Sequence, residues 1–195
     1  MSVRSLWIAA GAWTVLAAGQ VGYSADSVPV QAGAASLTPQ NTKVQFVCAH
    51  VGARPDPRKG GFAKFMGKAE IDVATKTLKS LDVDIDTTSL FTEVGDMLTN
   101  HLKSVDFFEV RRYPTAHFET TKIVATSSGT SQITGKLTLH GVTREVTFPA
   151  IVDIDNSGLK LKSEFKLDRL EFGINYDPGK VETKVSLTVV VGEKT

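Results

Sequence analysis

Alternation of apolar and polar residues, repeated along most of the chain, is the feature that most constrains its fold. In the cleanest segment, Val142–Ile154, six of the seven even-numbered positions are apolar. Successive side chains of a strand point to opposite faces, so a period of two predicts half-buried strands. Eight such segments are present: Thr42–Ala49, Phe62–Val73, 81–86, Ala116–Val124, Gln132–His140, Val142–Ile154, Leu159–Leu167 and Val181–Val191. The sequence therefore predicts an all-β fold of eight strands.

Short connections between these segments favour antiparallel pairing. His140-Gly141 and Asn156-Ser157-Gly158 are typical of hairpin turns, and Gly60-Gly61 predicts a turn before the second strand. Eight antiparallel strands can form a sandwich or a barrel, and strands of about 9 to 13 residues favour the barrel. Pro149 lies inside the longest segment, where we expect a bulge or an unpaired stretch.

One short helix is expected at Glu93–Lys103, between the third and fourth strands. Val94, Met97, Leu98 and Leu102 recur there at helical spacing and share one face. We expect that apolar face to pack against the sheet.

The N-terminal residues 1–25 are typical of a secretory signal peptide. Arg4 supplies the positive charge, Leu6–Ala18 is apolar, and Ser24 and Ala25 suit cleavage. An uncleaved membrane anchor is the alternative, although the apolar run is short for a bilayer. We expect a linker at residues 26–40, one domain at residues 41–195, and a periplasmic or secreted location.

Composition argues against several classes of function. The chain has 22 Lys and Arg against 21 Asp and Glu, and loss of residues 1–25 removes one Arg and no acid. A neutral protein lacks the basic excess that a nucleic-acid surface requires. The single cysteine, Cys48, excludes an internal disulfide and is expected to be a buried, inert thiol.

Motifs for catalysis, cofactors and metals are absent from the sequence. It contains no G-x-S-x-G, P-loop, Rossmann or HExxH pattern. No H-x-x-x-H or C-x-x-C spacing indicates a metal site, so we expect no cofactor and no metal. Asp82, Asp84 and Asp86 share one strand face, which we interpret as solvated surface.

Two runs of the sequence resemble signatures of the YceI-like, or polyisoprenoid-binding, family of bacterial secreted proteins. The first signature reads roughly H-L-x-S-x-D-F-F-D/E-V-x-x-Y-P-x-x-x-F and is matched between His101 and Phe118. The second reads G-x-L-T-x-H-G-V-T-x-x-V-x-F and is matched between Gly135 and Phe148. The resemblance implies an eight-stranded lipocalin-like antiparallel barrel that holds a long apolar ligand.

The inward-facing residues are the candidates for contact with that ligand. From spacing alone, ordinary core packing is the simpler interpretation, whereas the family resemblance favours an open interior. The candidate apolar lining is Phe46, Phe62, Phe65, Val83, Ile85, Phe107, Phe108, Phe118, Leu137, Leu139, Val146, Phe148, Phe165 and Leu167. His101 and Arg144 are candidates for a polar head group or the cavity mouth. Arg144 shares the apolar parity of its strand, so we expect it to point inward, towards a structural carboxylate or a ligand head.

The expected function is therefore non-enzymatic binding, transport or storage of a polyisoprenoid, a quinone or a similar long-chain amphiphile in the bacterial envelope. Two alternatives stay open: a ligand-free periplasmic stress or interaction protein, and a small hydrolase that uses His101. The expected partner is an isoprenoid or other long-chain lipid. A transient membrane-surface contact through residues 52–61 and a homodimer also stay open.

Overall fold

The described residues form a single antiparallel sheet of eleven strands with one short helix. The computed structural model describes residues 33–52, 56–126 and 129–192. The strands are β1 Ala34–Leu37, β2 Thr42–Cys48, β3 Arg58–Phe62, β4 Phe65–Asp72, β5 Thr77–Asp86, β6 Leu90–Thr92, β7 Thr115–Ala125, β8 Thr130–Leu139, β9 Val142–Asp155, β10 Gly158–Asp168 and β11 Lys184–Val191. The helix, α1, spans Asp96–Lys103, and 3₁₀ turns lie at Thr87–Ser89 and Arg169–Phe172. The prediction of an all-β antiparallel fold is confirmed.

The strands follow the order β1-β4-β5-β7-β8-β9-β10-β11-β2-β3-β6, with β1 and β6 at the two edges. Hydrogen bonding therefore makes an open half-barrel. Ala63 and Lys64 separate β3, which pairs with β2, from β4, which pairs with β5. Because this covalent link joins two distant parts of the strand order, the sheet wraps around an interior.

The predicted count of eight strands is wrong. The 3₁₀ turn at Thr87–Ser89 separates β5 from β6, and a bend at Ala63-Lys64 separates β3 from β4. Ala34–Leu37, part of the expected linker, pairs with β4 as β1. The helix consequently follows the sixth strand instead of the third, because three short strands precede it.

Two turn and bulge predictions also need correction. Gly60-Gly61 lies inside β3, where a Cβ at Gly60 would come within 2.5 Å of the Phe46 ring. Glycine therefore serves close packing there, and not a turn. Pro149 pairs with Gln132 of β8 without a break in register, so it marks no bulge.

The expectation of an unpaired stretch near Pro149 does describe the other side of β9. The β9–β10 ladder ends at Ile151 and Lys162. Beyond that point Ser163 Oγ donates a hydrogen bond of 2.6 Å to the Pro149 carbonyl. Strands β9 and β10 are therefore not paired with each other beyond Ile151 and Lys162.

The two hairpin predictions agree with the structure. β8 ends at Leu139 and β9 begins at Val142, and both His140 and Gly141 have positive φ, as a tight two-residue turn requires. Asn156-Ser157 connects β9 to β10. Packed apolar residues gather near the β4–β5, β7–β8 and β9–β10 hairpins, and they include Ile71, Leu78, Ile133, Ile154 and Leu159. These residues belong to the packed core.

Residues 1–32 lie outside the described residues, and with them the predicted signal peptide and the start of the predicted linker. In the described ranges, no helix has the length and apolar character needed to cross a membrane.

Candidate functional site

An apolar cavity of about 350 Å³ lies inside the sheet. It is surrounded by residues of nine strands, all except β4 and β6, and by α1 and the segment 174–181 at one end. All but one of the candidate apolar residues border it: Phe46, Phe62, Val83, Ile85, Phe107, Phe108, Phe118, Leu137, Leu139, Val146, Phe148, Phe165 and Leu167. Their contact with a ligand stays a prediction. The inward-pointing hydrophobic residues thus surround space instead of filling it.

Phe65 is the candidate apolar residue that does not border the cavity. It is buried at the first position of β4, directly after the bend at Ala63-Lys64. A strand that restarts after a bend no longer keeps the parity of the preceding strand. Phe62, on the other side of the bend, does border the cavity.

Aromatic rings make up two contacting groups in the wall. Phe148 stacks on Phe165 with ring centroids 4.4 Å apart and lies 5.5 Å from Phe118. Phe62 lies 6.0 Å from both Phe46 and Phe108. These distances are those of favourable aromatic pairs, so the rings stabilise the wall through one another.

The helix contributes one narrow apolar face to the cavity. Leu98 and Leu102 border it, as the helical spacing predicts. The other two members of the expected face do not: Met97 is 90% exposed and Val94 is half exposed. Helix α1 begins at Asp96, so Val94 precedes the helix and does not share its face.

His101 places a polar group at the helical end of the cavity. Its Nε2 lies 3.0 Å from Asp106 Oδ2, and its ring packs edge-on against Phe107 and Tyr176 at 5.1 Å. His101 and Tyr176 both border the cavity. The role of His101 in contacting a ligand head group stays a prediction.

Arg169 is a buried cation that the sequence analysis missed. It is 5% exposed, and its guanidinium donates to the carbonyls of Glu182, Ile174 and Val181 at 3.0, 2.6 and 2.9 Å. Burial lowers its pKa because the charged form loses hydration. Within the described ranges no carboxylate lies within salt-bridge distance of it, although Asp168 and Asp177 act on it from further away.

Cys48 also borders the cavity, close enough to Arg169 to interact with it electrostatically. Burial nevertheless raises the pKa of the Cys48 thiol, so the neutral form predominates at neutral pH. This agrees with the expected unreactive thiol. Alternation of Val44, Phe46 and Cys48 in β2 could have placed it on the wall.

Arg144 lies opposite Leu137 in the β8–β9 ladder and so keeps the inward parity that alternation predicts, but its side chain does not reach the cavity. Its side chain is exposed, it does not border the cavity, and its Nε donates to the Glu171 carbonyl at 3.2 Å. The reason is that β9 has no strand partner on the β10 side at this level. The turn at Arg169–Phe172 lies there instead and supplies the acceptor.

His140 holds three parts of the chain together at the β8–β9 turn. Its Nδ1 donates to the Phe172 carbonyl at 3.2 Å, and its Nε2 lies 3.8 Å from Glu109 Oε2. The Tyr113 ring packs against it with centroids 4.5 Å apart. His140 is thus a turn residue, as expected, and it fixes the segment after α1 against the sheet.

A family model described as the YceI-like domain matches residues 36–192. The chain belongs to the YceI-like family. Among relatives, a UPF0312 protein of Pseudomonas savastanoi pv. phaseolicola is 33% identical over 150 residues, which covers 77% of this chain and 73% of the relative. A UPF0312 protein of Pseudomonas putida strain W619 is 40% identical over 91 residues, so the match spans about half of that relative, 47% of its length.

Several solved structures share the fold. BcnA of Burkholderia cenocepacia superposes with a TM-score of 0.68 at 25% identity, covering 77% of this chain and 94% of BcnA. A Campylobacter jejuni YceI protein gives 0.63 at 25% identity, covering 70% and 84%. A polyisoprenoid binding domain of Saccharophagus degradans, implicated in plant cell wall breakdown, gives 0.60 at 14% identity, covering 80% and 96%, which shows the fold alone.

Proposed function

We propose that this protein binds one long-chain amphiphile in the bacterial envelope and catalyses no reaction on it. The apolar chain of the ligand would lie in the cavity that the sheet surrounds. The apolar cavity is the observation that carries the proposal. Its volume of about 350 Å³ falls within the range of ligand pockets, about 300 to 1,000 Å³. Each methylene moved from water into such an interior contributes about 0.8 kcal/mol. Affinity would then grow with chain length.

The two ends of the cavity differ in polarity, which favours an amphiphile over a hydrocarbon. His101, Tyr176 and Arg169 border it near α1 and the segment 174–181. At the other end it is bordered by Leu37, Leu81 and other residues next to the packed core. We infer that the polar head lies near His101 and that the chain extends towards Leu37.

An isoprenoid or quinone is the proposed ligand class. The Saccharophagus degradans domain with the same fold is described as polyisoprenoid binding. Aromatic rings such as Phe118, Phe148 and Phe165 suit the branched, unsaturated chain of an isoprenoid because they offer flat, polarisable contact surface. Location in the envelope rests on the predicted signal peptide at residues 1–25.

The polar contacts support a binding protein over a hydrolase. His101 contacts the Asp106 carboxylate, but in the part of the chain that the structure describes no Ser, Thr or Cys side chain hydrogen-bonds to its ring. A histidine that activates a nucleophile needs that nucleophile within hydrogen-bond reach. His101 is therefore better suited to contact a head group.

A displacement assay tests the proposal directly. A fluorescent long-chain probe is bound to the purified protein and then displaced by polyprenols and quinones of increasing chain length. We expect saturable binding that strengthens with chain length, and native mass spectrometry should show one ligand per chain. Protein that takes up neither polyprenol nor quinone, although folded, would contradict the proposal.

Two variants of β8 make the assay specific to the cavity. Leu137→Trp fills the interior, because Leu137 borders the cavity. Lys136→Trp places the same ring on the exposed outer face one residue earlier. We expect Leu137→Trp to lower affinity by about tenfold or more, since filling the cavity removes contacts that several methylenes would make, and Lys136→Trp to leave it unchanged. Equal affinity in both variants would place the ligand elsewhere.

A further inference from the structure

The outer face of the sheet carries a group of three metal-ligating side chains, Asp82, Asp84 and His117. Asp82 and Asp84 lie on β5 and His117 lies on β7. A ligand atom from each residue lies within 4.8 Å of the other two. Sequence spacing does not reveal this group, because Asp84 and His117 are 33 residues apart in the chain.

Strand pairing fixes the positions of these side chains. Asp84 is directly opposite His117, and Asp82 is opposite Glu119, in the β5–β7 ladder. Val83 and Phe118, the neighbouring residues on the inner face, are also opposite each other and form part of the cavity wall. The backbone under the group is therefore held by the sheet and by packing behind it, which lowers the entropy lost when a ligand binds.

The charges of the group are not balanced by nearby cations. Asp84 Oδ1 accepts a hydrogen bond from His117 Nδ1 at 2.9 Å. In the described ranges neither Asp82 nor Asp84 forms an ion pair with a lysine or arginine. Lys68, which is opposite Asp82 in β4, contacts Glu70 instead at 3.0 Å. The two carboxylates supply negative charge and the imidazole supplies a nitrogen donor, which together suit a divalent cation.

A fourth donor lies beside the group. Met66 of β4 is directly opposite Asp84 on the same outer face and is 69% exposed. A methionine so exposed contributes little to the packed core, whereas its thioether is a soft metal ligand. Nitrogen, oxygen and sulfur donors thus lie on the same face of three adjacent strands.

Two other histidine–aspartate pairs on the surface provide a comparison. His50 lies 2.8 Å from Asp56, and His101 lies 3.0 Å from Asp106. Neither pair belongs to a group of three ligating side chains in the part of the chain that the structure describes. The group at His117 therefore differs from an ordinary surface ion pair by its additional carboxylate.

We propose that Asp82, Asp84 and His117 bind a divalent transition-metal ion of the Zn²⁺ or Cu²⁺ class. Imidazole nitrogen and carboxylate oxygen are accepted ligands of both ions. His117 coordinates through Nδ1 once its hydrogen is on Nε2, and the metal takes the place of that hydrogen beside Asp84. Three protein ligands leave a position for water, and Met66 lies opposite Asp84 in the neighbouring strand.

The test is isothermal titration of the untagged full-length chain with ZnCl₂ and, separately, CuCl₂, in a buffer that does not chelate metals. We expect saturable binding of one ion per chain. His117→Asn and Asp82→Asn should each weaken it by about tenfold or more, because each removes a ligand, and even partners outside the ligand shell contribute about that much. His50→Asn, in the pair without a third donor, should leave binding unchanged.

The outcome separates this site from the cavity. Absence of saturable binding of either ion would overturn the proposal, as would binding that survives both His117→Asn and Asp82→Asn. Equal loss in His50→Asn would indicate nonspecific binding to surface histidines and would overturn it too. Far-ultraviolet circular dichroism checks that each variant is folded. Leu137→Trp, which fills the cavity, should bind the metal normally.

Discussion

The inner and outer faces of β5 and β7 are made by alternate residues of the same strands, yet they follow different physical rules. On the inner face, Val83 and Phe118 border an apolar cavity. On the outer face, Asp84 and His117 are opposite each other at the same level of the ladder and form a solvent-exposed hydrogen bond. Inner residues are constrained by volume, because their side chains pack closely against one another in the wall of the cavity. Outer residues are constrained mainly by charge and hydrogen bonding, so substitutions there should change stability little and local chemistry strongly.

The largest expected effect is a steric one on the inner face. A Cβ at Gly135 of β8 would lie 2.5 Å from both the Glu119 carbonyl oxygen and the Phe118 ring. Gly135→Val should therefore destabilise the protein by at least about 4 kcal/mol, above the common range for overpacking, because a backbone atom cannot move aside. Urea unfolding monitored by circular dichroism measures the change.

Lys136→Val is the matched control for this substitution, since it adds the same side chain on the exposed outer face. We expect a change below about 0.5 kcal/mol. If the two variants were equally stable, the inner and outer faces would not differ in the way described.

The next effect concerns the aromatic wall. Phe148→Ala removes a buried ring that contacts Phe165 and Phe118. We expect a loss of about 3 kcal/mol in the free energy of unfolding, since the remaining rings cannot collapse fully into the space. Thr147→Ala, on the outer face of the same strand, should cost less than about 1 kcal/mol. A small loss for Phe148→Ala would mean that the ring borders the cavity without supporting it.

The smallest expected effect is a change in the pKa of Asp86, which follows Asp82 and Asp84 on the outer face of β5. Hydrogen bonds from the Thr88 hydroxyl and backbone N–H lower the pKa of the Asp86 carboxyl. Because the folded value is depressed, this contribution to stability is complete above the ordinary carboxyl pKa of about 3.9 and is lost as pH falls through the lowered value. Thr88→Val should raise the pKa of Asp86 towards its ordinary range, as measured by carbon NMR of the carboxyl group. An unchanged titration would assign the shift to the backbone contact.

Arg144 and Arg169 show what sequence reasoning could not supply. Alternation predicted an inward side chain for Arg144, but no sequence pattern predicted the burial of Arg169. In the structure Arg144 is exposed, because β9 lacks a strand partner there, and Arg169 is buried with three carbonyl acceptors from residues 174–182. Side-chain parity predicts orientation within a regular ladder. The surroundings of both arginines depend instead on a 3₁₀ turn that packs beside the separated strands.

Alternation and short signatures in the sequence predicted the longer strands, the apolar side of most of them, and the family, but not the short strands β1, β3 and β6. The predicted features are local properties, because a period of two residues or a short signature is complete within one segment. Only the tertiary structure decided that strands bend at Ala63-Lys64 and Thr87–Ser89, that inward rings leave a cavity, and that Asp82, Asp84 and His117 meet. Those outcomes depend on how distant segments align in register, and a one-residue shift in pairing would change every one of them.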